Sequence, residues 1–370
     1  MLISHSRWRI SKIMKNIVIV VQRLSDGGAE RVASILINYL YEHGYNVLVI
    51  LAYYDTREYY IHDEIKTIAI KTSKKSAFAR LVERNLKIYE ATKAFNADVV
   101  VSFITNEVLV TECKGIPVIH TLRNDPAHRD NSLIKSIMRN FAYNNAAQVI
   151  FQTEGAKEFF GESIKNKGQV IFNPLMTDEL PIWNECTDSK TFITACRLNK
   201  QKNIPMMIRA MKKLHEFYPE YRLDIYGSGE EKNSIEKLIK EFHGEDYIAL
   251  KGHSTDIHSI MANSFAFVMS SDFEGLSNSM LEALTIGIPC ICTDCPPGGA
   301  RTFIENRKNG LLCQVGNHEE LYENMKFLIE NEKCRKSFGR KNQNLREKLS
   351  SENICEQWEK AIIRAMEKKI

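Results

Sequence analysis

The sequence predicts an α/β protein with two doubly wound domains, each a parallel sheet covered by helices on both faces, and a cleft between them. Both halves alternate short, almost continuously apolar runs with amphipathic segments, as expected for strands that are buried on both faces and joined by helices. The stretch FNPLMTDELPIWNECTDSK (172–190) has two prolines and little periodicity, which is typical of a domain boundary. We therefore expect domains at 1–175 and 176–350, with the amphipathic helix 351–370 packing back on the first.

The first half contains the elements of one such domain. A Gly-rich turn at 25–30 leads into an amphipathic helix at 31–44, which Gly44 ends. Residues 74–95 are basic and amphipathic, which favours a helix packed on its own sheet or, less commonly, one lying on an anionic bilayer. The predicted strands are 16–21, 46–54, 65–70, 98–103, 117–122 and 148–153.

The second half repeats this plan. Two amphipathic segments, 204–217 and 230–243, are predicted to be helices. Ligands of such folds bind outside the carboxyl ends of the strands, so the loops that follow the strands are the places to look for a site. The predicted strands are 191–198, 221–229, 246–253, 264–271, 289–294 and 310–315.

Charge and hydropathy exclude some classes of protein. Residues 1–175 carry 23 Lys and Arg against 17 Asp and Glu, and residues 176–370 carry 27 against 29. This excess is too small for a dedicated nucleic-acid-binding protein; it fits an anionic acceptor or surface, and random variation equally well. No run of about 18 apolar residues occurs, so no transmembrane helix is expected, and the chain is predicted to be cytoplasmic. If Met14 is the true start, residues 1–13 are a disordered or misassigned leader; a membrane-contacting tail is less favoured.

The nine cysteines do not have the spacing of a disulfide framework. Several lie in apolar runs, where a reduced Cys acts as a small hydrophobe. The run CICTDC (290–295) lacks a matching Cys/His pair downstream, so zinc is not expected.

Two glutamates follow the predicted strand at 264–271. Glu274 is expected in the loop beyond the strand, and Glu282 in or near the first turn of a helix that opens at 277–279. The free N–H groups at such a helix start form an anion site for a diphosphate, and carboxylates accept hydrogen bonds from sugar hydroxyls. The alternative is structural, because Ser279 and Glu282 also have the spacing of a capping box.

Two cations lie in the loop CRLNKQKN (196–203), which follows a predicted strand. The planar guanidinium of Arg197 would contact phosphate oxygens through two parallel N–H groups, and Lys202 would contact them as a point charge. Taken alone, the loop is also consistent with ordinary solvated cations.

Two Gly-rich turns allow a ligand to approach the backbone. Gly27 and Gly28 in SDGGAERV (25–32) follow the first strand, and GSGEEK (227–232) follows a strand of the second domain. Neither turn is the dinucleotide fingerprint or a Walker loop, which disfavours dehydrogenases and NTPases.

A polar cluster ends the predicted strand at 117–122. His120, Arg123, Asn124 and Asp125 in HTLRNDP have the chemistry to hold a leaving phosphate or an acceptor hydroxyl. Asn124 and Pro126 are equally compatible with a turn.

Taken together, these motifs resemble the retaining glycosyltransferases of family 4, which have the GT-B architecture of two Rossmann-like domains. The similarity spans nearly the whole chain. It is most specific in Glu274-GLSNSML-Glu282, an E-x7-E pattern followed by ALTIGIPCICTD; CRLNKQKN, YGSGEEK and GGAE also fit. The resemblance implies a nucleoside-diphosphate sugar, a UDP-sugar, as donor, and no metal or other cofactor.

The resemblance also implies roles for individual residues. Glu282 would hold the ribose hydroxyls, Glu274 the hydroxyls of the donor sugar, and Arg197 and Lys202 the diphosphate as it leaves. Backbone amides near Gly275 would contact the sugar and diphosphate, and the loop after 248–253 would flank the base. The remaining donor-binding positions are Gly27, Gly28, Gly227, Gly252, His253, Leu276, Ser277, Asn278 and Ser279.

The chain departs from the family pattern at two places. The common E-G-F-G start is E-G-L-S here, so the amide contacts remain expected but the sugar is not specified. Many relatives carry a His on the acceptor side, where this chain offers His120 or Arg123. We favour Arg123 as a catalytic residue together with Asn124 and Asp125, because His120 lies earlier in the strand and is expected to face the core.

The acceptor is inferred from the family and from charge. The motif resembles members that extend lipid-diphosphate-linked oligosaccharides for capsule, O-antigen or related glycans. The mild positive excess of the first half, the basic helix at 74–95 and the absence of a membrane span suggest peripheral association with the inner face of a membrane. The alternatives are a UDP-sugar 2-epimerase of the same fold and a non-catalytic nucleotide-sugar-binding protein.

Overall fold

The computed structural model describes residues 15–25, 27–129 and 133–367. The predicted pair of doubly wound parallel sheets is confirmed: one sheet has seven strands and the other has six. The predicted leader (1–13) lies outside the described residues.

The first sheet is parallel throughout, in the order β3-β2-β1-β4-β5-β6-β7. The last strand was not predicted, because it is only three residues long and half-buried. The strands are β1 (Asn16–Val21), β2 (Asn46–Leu51), β3 (Lys66–Ala69), β4 (Val99–Ser102), β5 (Val118–Leu122), β6 (Gln148–Phe151) and β7 (Gly168–Val170).

Helices cover this sheet on both faces. The first helix begins at Gly28, earlier than predicted, because the Gly-rich turn itself forms its first turn. The helices are α1 (Gly28–Glu42), α2 (Ala77–Ala94), α3 (Leu109–Cys113), α4 (Pro126–Arg129), α5 (Leu133–Asn145), α6 (Glu154–Glu158) and α7 (Glu162–Lys165).

The second sheet has the order β10-β9-β8-β11-β12-β13 and is also parallel. The predicted strand at 221–229 ends earlier, because Gly227 and Gly229 have φ values of +128° and +159° that an extended strand does not use. The strands are β8 (Thr191–Ala195), β9 (Arg222–Tyr226), β10 (Ile248–Gly252), β11 (Ala266–Met269), β12 (Cys290–Thr293) and β13 (Leu311–Cys313).

The helices of the second half flank this sheet. A short 3₁₀ turn, Lys200–Lys202, precedes the first of them, and Asn203 caps that helix by accepting a hydrogen bond from the Met206 N–H. The helices are α8 (Ile204–His215), α9 (Lys232–Glu241), α10 (Ile257–Ala262), α11 (Asn278–Ile286), α12 (His318–Glu330), α13 (Glu332–Asn342), α14 (Leu345–Lys348) and α15 (Ser351–Glu367).

The strand order reverses beside β1 and β4 in one sheet and beside β8 and β11 in the other. Crevices form at such switch points, outside the carboxyl ends of the strands. The loops after β1 and β5 therefore face those after β8 and β11, and these four loops contain most of the polar motifs of the sequence. The turn GSGEEK (227–232) follows β9 instead.

The last helix, α15, packs with the first sheet. Its buried residues, among them Trp358 and Ile362, share one core cluster with β1, β2, β4 and α1. The Trp358 ring stacks on Phe103, just beyond β4, with centroids 6.0 Å apart. The chain thus passes between the halves twice, and Leu175 pairs with Ser350 where the two passages meet. No helix in the described ranges has the length and apolarity needed to cross a bilayer.

We predict that Trp358→Ala lowers the free energy of unfolding by about 3–5 kcal/mol, because it removes a large, fully buried side chain from the first core. Urea denaturation followed by far-UV circular dichroism measures this loss. Lys360→Ala, which alters an exposed residue of the same helix, is the control and should change stability by less than about 0.5 kcal/mol. Equal stability of both variants would contradict the packing of α15.

Candidate active site

Two adjoining cavities occupy the cleft at the carboxyl ends of both sheets. The first, about 410 Å³, is lined from both halves, and the second, about 620 Å³, is lined mostly by the loops after β8, β9 and β10. They share Arg23, Cys196 and Arg197. Of the predicted site residues, the first cavity brings together Gly27, Gly28, Arg123, Asn124, Arg197, Lys202, Glu274, Leu276, Ser277, Asn278 and Ser279.

Lys202 and Glu274 form an ion pair inside the first cavity. Although burial disfavours the ammonium, the Glu274 carboxylate raises the pKa of Lys202 above its ordinary value. Gln201 Nε2 donates to the Phe273 carbonyl, 2.8 Å away, and holds the two loops together. The pair therefore presents a fixed positive charge next to a carboxylate oxygen, which suits a phosphate beside a hydroxyl.

The start of α11 lies against the first half of the chain. Ser277 caps the helix by accepting a hydrogen bond from the Met280 N–H. Gly275 is buried, and a Cβ at this position would overlap Gln152 Oε1 and reach within 3.0 Å of the Arg123 carbonyl oxygen. Only glycine permits this approach, which brings the helix N-terminus and its partial positive charge to the cavity.

Glu282 lies deeper than predicted, in the second turn of α11. Its Oε1 pairs with Arg31 of α1, and its Oε2 lies 3.2 Å from His258 Nε2 of α10. Although burial favours the neutral acid, the hydrogen bonds from His258 and Arg31 hold the pKa of the Glu282 carboxyl below its ordinary value. The capping-box alternative is wrong, because Ser277 rather than Ser279 is the cap and the carboxylate bridges to the first half.

Arg123 lies at the first-sheet wall of the cavity. Its Nη2 donates to Asn173 Oδ1 at 2.5 Å, while Nε and Nη1 are buried and have no hydrogen-bond partner within the described residues. Burial lowers the pKa of Arg123 to about 9, and Glu30 partly opposes this shift. A buried guanidinium with open N–H groups is equipped to bind an anionic or hydroxylated ligand.

Asn173 joins the two halves and was missed by the sequence argument. Besides Arg123, its Oδ1 accepts from Gln152 Nε2 at 2.7 Å. Its Nδ2 donates to the Leu276 carbonyl at 3.0 Å and to Asn278 Oδ1 at 2.5 Å. The only signal was its place in the Pro-containing seam, which suggested a linker. Glu30, in the GGAE turn, also lines the first cavity and was not assigned a role.

The remaining predicted positions lie elsewhere. His120 is fully buried against Glu112 and the Tyr143 ring, so it is not brought to the cleft. Asp125 is buried and caps α4, where it accepts from the Ala127 N–H and contacts His128 Nδ1. Both side chains serve local structure rather than the cavity.

The second cavity contains two more of the predicted donor-binding positions. Gly227 and His253 line it, together with Tyr226. Gly252 is not among its lining residues; its carbonyl accepts a hydrogen bond from the Gly227 N–H at 2.8 Å. No group of three or more His, Cys, Asp or Glu side chains suited to a metal occurs in the described part of the chain.

Comparisons with known proteins agree with this architecture. The family model described as Glycosyl transferases group 1 matches residues 177–345, and Glycosyltransferase Family 4 matches residues 26–179. An uncharacterized glycosyltransferase of Haemophilus influenzae is 24% identical over 93% of this chain and 99% of its own. A Campylobacter jejuni enzyme, N-acetylgalactosamine-N,N'-diacetylbacillosaminyl-diphospho-undecaprenol 4-alpha-N-acetylgalactosaminyltransferase, is 26% identical over 63% of each.

Solved structures share the fold. Anabaena HepE in complex with UDP and glucose matches with a TM-score of 0.80 and 18% identity, over 95% of this chain and 99% of that one. Staphylococcus aureus TarM, in complex with Fondaparinux, alpha-GlcNAc-glycerol and UDP, matches with a TM-score of 0.76 and 16% identity, over 94% and 100%.

We predict that Glu282 makes stability depend on acidic pH. Because its folded-state pKa lies below 4.5, the ionised carboxylate stabilises the fold at neutral pH, and this contribution is lost as the pH falls through the folded value. Urea denaturation of wild type and Glu282→Gln, from about pH 7 to about pH 3.5, should show a stability difference that shrinks below about pH 4.5.

Glu236→Gln is the matched control, because Glu236 is exposed and, among the described residues, its ion pair is with Lys232 of its own helix. Its difference from wild type should stay small throughout. A Glu282→Gln difference that is constant across the whole range would contradict the shifted pKa.

Proposed function

The chain belongs to the GT-B glycosyltransferases of group 1 and family 4, and we propose that it is a retaining hexosyltransferase that moves a sugar from a UDP-sugar to a glycan acceptor. The observation that carries this proposal is the convergence of Arg197, Lys202 and Glu274 on one cavity between the two halves. The 2-epimerase and non-catalytic alternatives are not favoured, because the family models and named relatives are those of transferases.

The proposed donor pose follows from the charges in the cleft. The diphosphate rests on the N-terminus of α11, between Arg197 and Lys202, and the donor sugar donates hydroxyl hydrogen bonds to Glu274. The adjoining 620 Å³ cavity has room for the nucleoside. UDP as the nucleotide is supported by the similar structures of HepE and TarM, which are both complexes with UDP.

The proposed reaction is driven by stabilisation of the leaving group. As the bond from the anomeric carbon to the β-phosphate oxygen breaks, negative charge develops on the phosphate. Arg197, Lys202 and the α11 amides are already oriented toward this position, so little reorganisation is needed. The acceptor hydroxyl attacks the anomeric carbon on the face from which the phosphate departs, so the anomeric configuration is retained. The hydroxyl gives its proton to the departing phosphate oxygen. These groups neutralise the negative charge of the diphosphate, which a metal ion would otherwise have to neutralise. We therefore propose no cofactor.

Glu282 requires an exchange of partners in this scheme. We assign it to the ribose hydroxyls, but both of its oxygens are engaged by Arg31 and His258. Arg31 belongs to the first half and Glu282 to the second, so separation of the halves would release Oε1. The donor would enter the opened cleft and place its ribose hydroxyls against Oε1. Closure would then bring the two halves together around the bound donor.

The proposed acceptor is a lipid-diphosphate-linked glycan of a surface polysaccharide. The Campylobacter jejuni relative supports this class, because it is named for a diphospho-undecaprenol-linked acceptor. The mild positive charge of the first half is consistent with an anionic acceptor.

A peripheral membrane-binding face is proposed on the first half, at the inner surface of a bilayer. On α2, Phe78, Val82 and Leu86 form an exposed apolar stripe, whereas Arg84 and Ile88 face inward. Exposed lysines at 71, 74 and 75 flank the start of this helix. An apolar stripe flanked by basic residues matches an anionic lipid surface.

A second exposed stripe lies on the same face of the sheet. On α5, Leu133, Ile134, Ile137 and Phe141 are all more than half exposed, and α3 packs between α2 and α5. The two stripes together extend the apolar face, and this extent supports membrane contact rather than a single chance patch.

We predict that Arg197→Ala and Lys202→Ala each lower kcat on the order of 10²–10³, because each removes a charge that stabilises the departing diphosphate. Thermal shift against a panel of nucleotide sugars first identifies the donor, since a ligand at about 100 times its Kd adds about 2.7 kcal/mol of stability. The rate at which UDP is released from that donor is then measured for each variant.

Lys200→Ala is the control, because Lys200 is exposed on the same 3₁₀ turn and does not line either cavity. Its turnover should match wild type, and EDTA should leave activity unchanged. Normal turnover in both cavity variants would contradict the proposed mechanism.

We predict that the protein floats with vesicles of phosphatidylcholine and phosphatidylglycerol at low salt, and that Phe78→Ser with Ile137→Ser abolishes this. The double variant loses one apolar side chain from each of the two exposed stripes. Raised salt should weaken binding of the wild type, because it screens the lysines beside α2. Phe217→Ser, which alters an exposed aromatic residue of the second half, should bind like wild type. Absence of wild-type flotation would refute the membrane-binding face.

A further inference from the structure

A third, smaller cavity opens from the cleft on the first-sheet side. Its volume is about 220 Å³. Every described residue that lines it comes from the first half, at the carboxyl ends of β1, β4 and β5 and the first turn of α1. They are Val21, Gln22, Ala29, Glu30, Phe103, Ile104, Arg123 and Asn124.

We propose that this cavity binds the terminal sugar ring of the acceptor, and that Glu30 accepts a hydrogen bond from a ring hydroxyl beside the one that attacks the donor. The inference rests on the proposed transferase function and extends it to a defined acceptor subsite. The cavity is named here the Glu30 subsite.

The position of the Glu30 subsite suits an acceptor. It shares Gln22, Ala29, Glu30, Arg123 and Asn124 with the 410 Å³ cavity, so the two spaces meet along this common wall. An acceptor ring in the small space and a donor sugar in the large one would therefore approach each other at Glu30.

The lining chemistry suits a sugar ring. Phe103 and Ile104 supply an apolar surface for the C–H face of a hexose, and Gln22, Glu30 and Asn124 supply polar groups for its hydroxyls. Trp358 stacks behind Phe103, so α15 fixes one wall of the subsite.

Arg123 provides an independent indication of a ligand. Its Nε and Nη1 are buried and lack a hydrogen-bond partner within the described residues, and its Cζ lies 5.8 Å from the Phe103 ring centroid. Buried N–H groups are normally satisfied. Oxygen atoms of a bound sugar would satisfy these.

Glu30 is poised to accept a hydrogen bond. Burial raises the pKa of its carboxyl, although a hydrogen bond from its own backbone N–H and the charges of Arg23, Arg197 and Arg123 oppose the rise. The side chain folds back over Gly27, where a Cβ would overlap Oε2. The bond between the acceptor oxygen and the anomeric carbon forms as the phosphate leaves with the proton of the attacking hydroxyl. Glu30, bonded to a neighbouring hydroxyl, orients the acceptor ring, and no net protonation of the enzyme is needed.

Saturation-transfer-difference NMR with a panel of methyl hexosides, in the presence of UDP, tests the subsite. We expect at least one methyl glycoside to bind wild type, and Glu30→Gln to weaken that binding by about tenfold or more, because a hydrogen bond to a charged acceptor is lost. Gly27→Ala should weaken it as well, since the backbone at position 27 (φ −141°, ψ 150°) accepts alanine while the new methyl group displaces the carboxylate.

Two controls separate the possible failures. Glu42→Gln, the same change at the exposed end of α1, should bind the glycoside like wild type. Thermal shift with UDP should show unchanged UDP binding in Glu42→Gln. Glu30→Gln should bind UDP no more weakly than wild type, because this change removes a negative charge near Arg197. If wild type binds neither UDP nor any UDP-sugar, the transferase proposal fails. If UDP binds but no glycoside does, or if Glu30→Gln binds the glycoside normally, the Glu30 subsite is refuted.

Discussion

The ion pair between Lys202 and Glu274 is the constraint on which the cleft depends. It joins the loop after β8 to the loop after β11, the two neighbouring strands at which the order of the second sheet reverses. Hydrogen bonds from Gln201 Nε2 to the Phe273 carbonyl and from Asn203 Nδ2 to Asp272 Oδ1, the latter at 2.7 Å, tie the same two loops. Because one carboxylate and one ammonium are buried together, neither can leave the cavity without exposing the other as an unpaired charge. The catalytic groups are therefore fixed before any substrate arrives, which is the condition for electrostatic preorganisation.

Sequence patterns predicted the two sheets because nearly every strand is buried on both faces and so forms an apolar run. The strand β7 was missed because its three half-buried residues leave no such run. Motif positions also predicted which loops reach the cleft, since carboxyl ends of parallel strands meet at one edge. They did not predict side-chain partners. Glu282 had the spacing of a helix cap, but its partners come from two other helices. His258 belongs to the same half, whereas the pairing with Arg31 depends on how the halves meet.

Contacts between the halves were the least predictable feature. In the sequence, Asn173 looks like a linker residue beside a proline. Its side-chain amide nevertheless forms hydrogen bonds both with the first-sheet wall and with the start of α11. A small polar residue at a seam carries no periodic signal, so only the three-dimensional arrangement reveals its four hydrogen bonds. His120 is the opposite case. The polar cluster suggested an acceptor-side role, but its earlier place in the strand favoured the core, and it lies there against Glu112.

The balance of charge around Arg123 connects these observations to chemistry. A guanidinium in this position is partly neutralised by Glu30, but two of its nitrogens, Nε and Nη1, remain buried with no hydrogen-bond partner within the described residues. A fold gains nothing from such an arrangement by itself, because an unmet buried donor is destabilising. Substituting an apolar side chain would relieve that cost, and Asn173 would still be held by Gln152 and α11. The arrangement makes sense if a ligand completes it, and oxygen-rich molecules are the natural complement. Arg123 lines both the donor cavity and the Glu30 subsite. This one side chain would therefore contact both the donor and the acceptor.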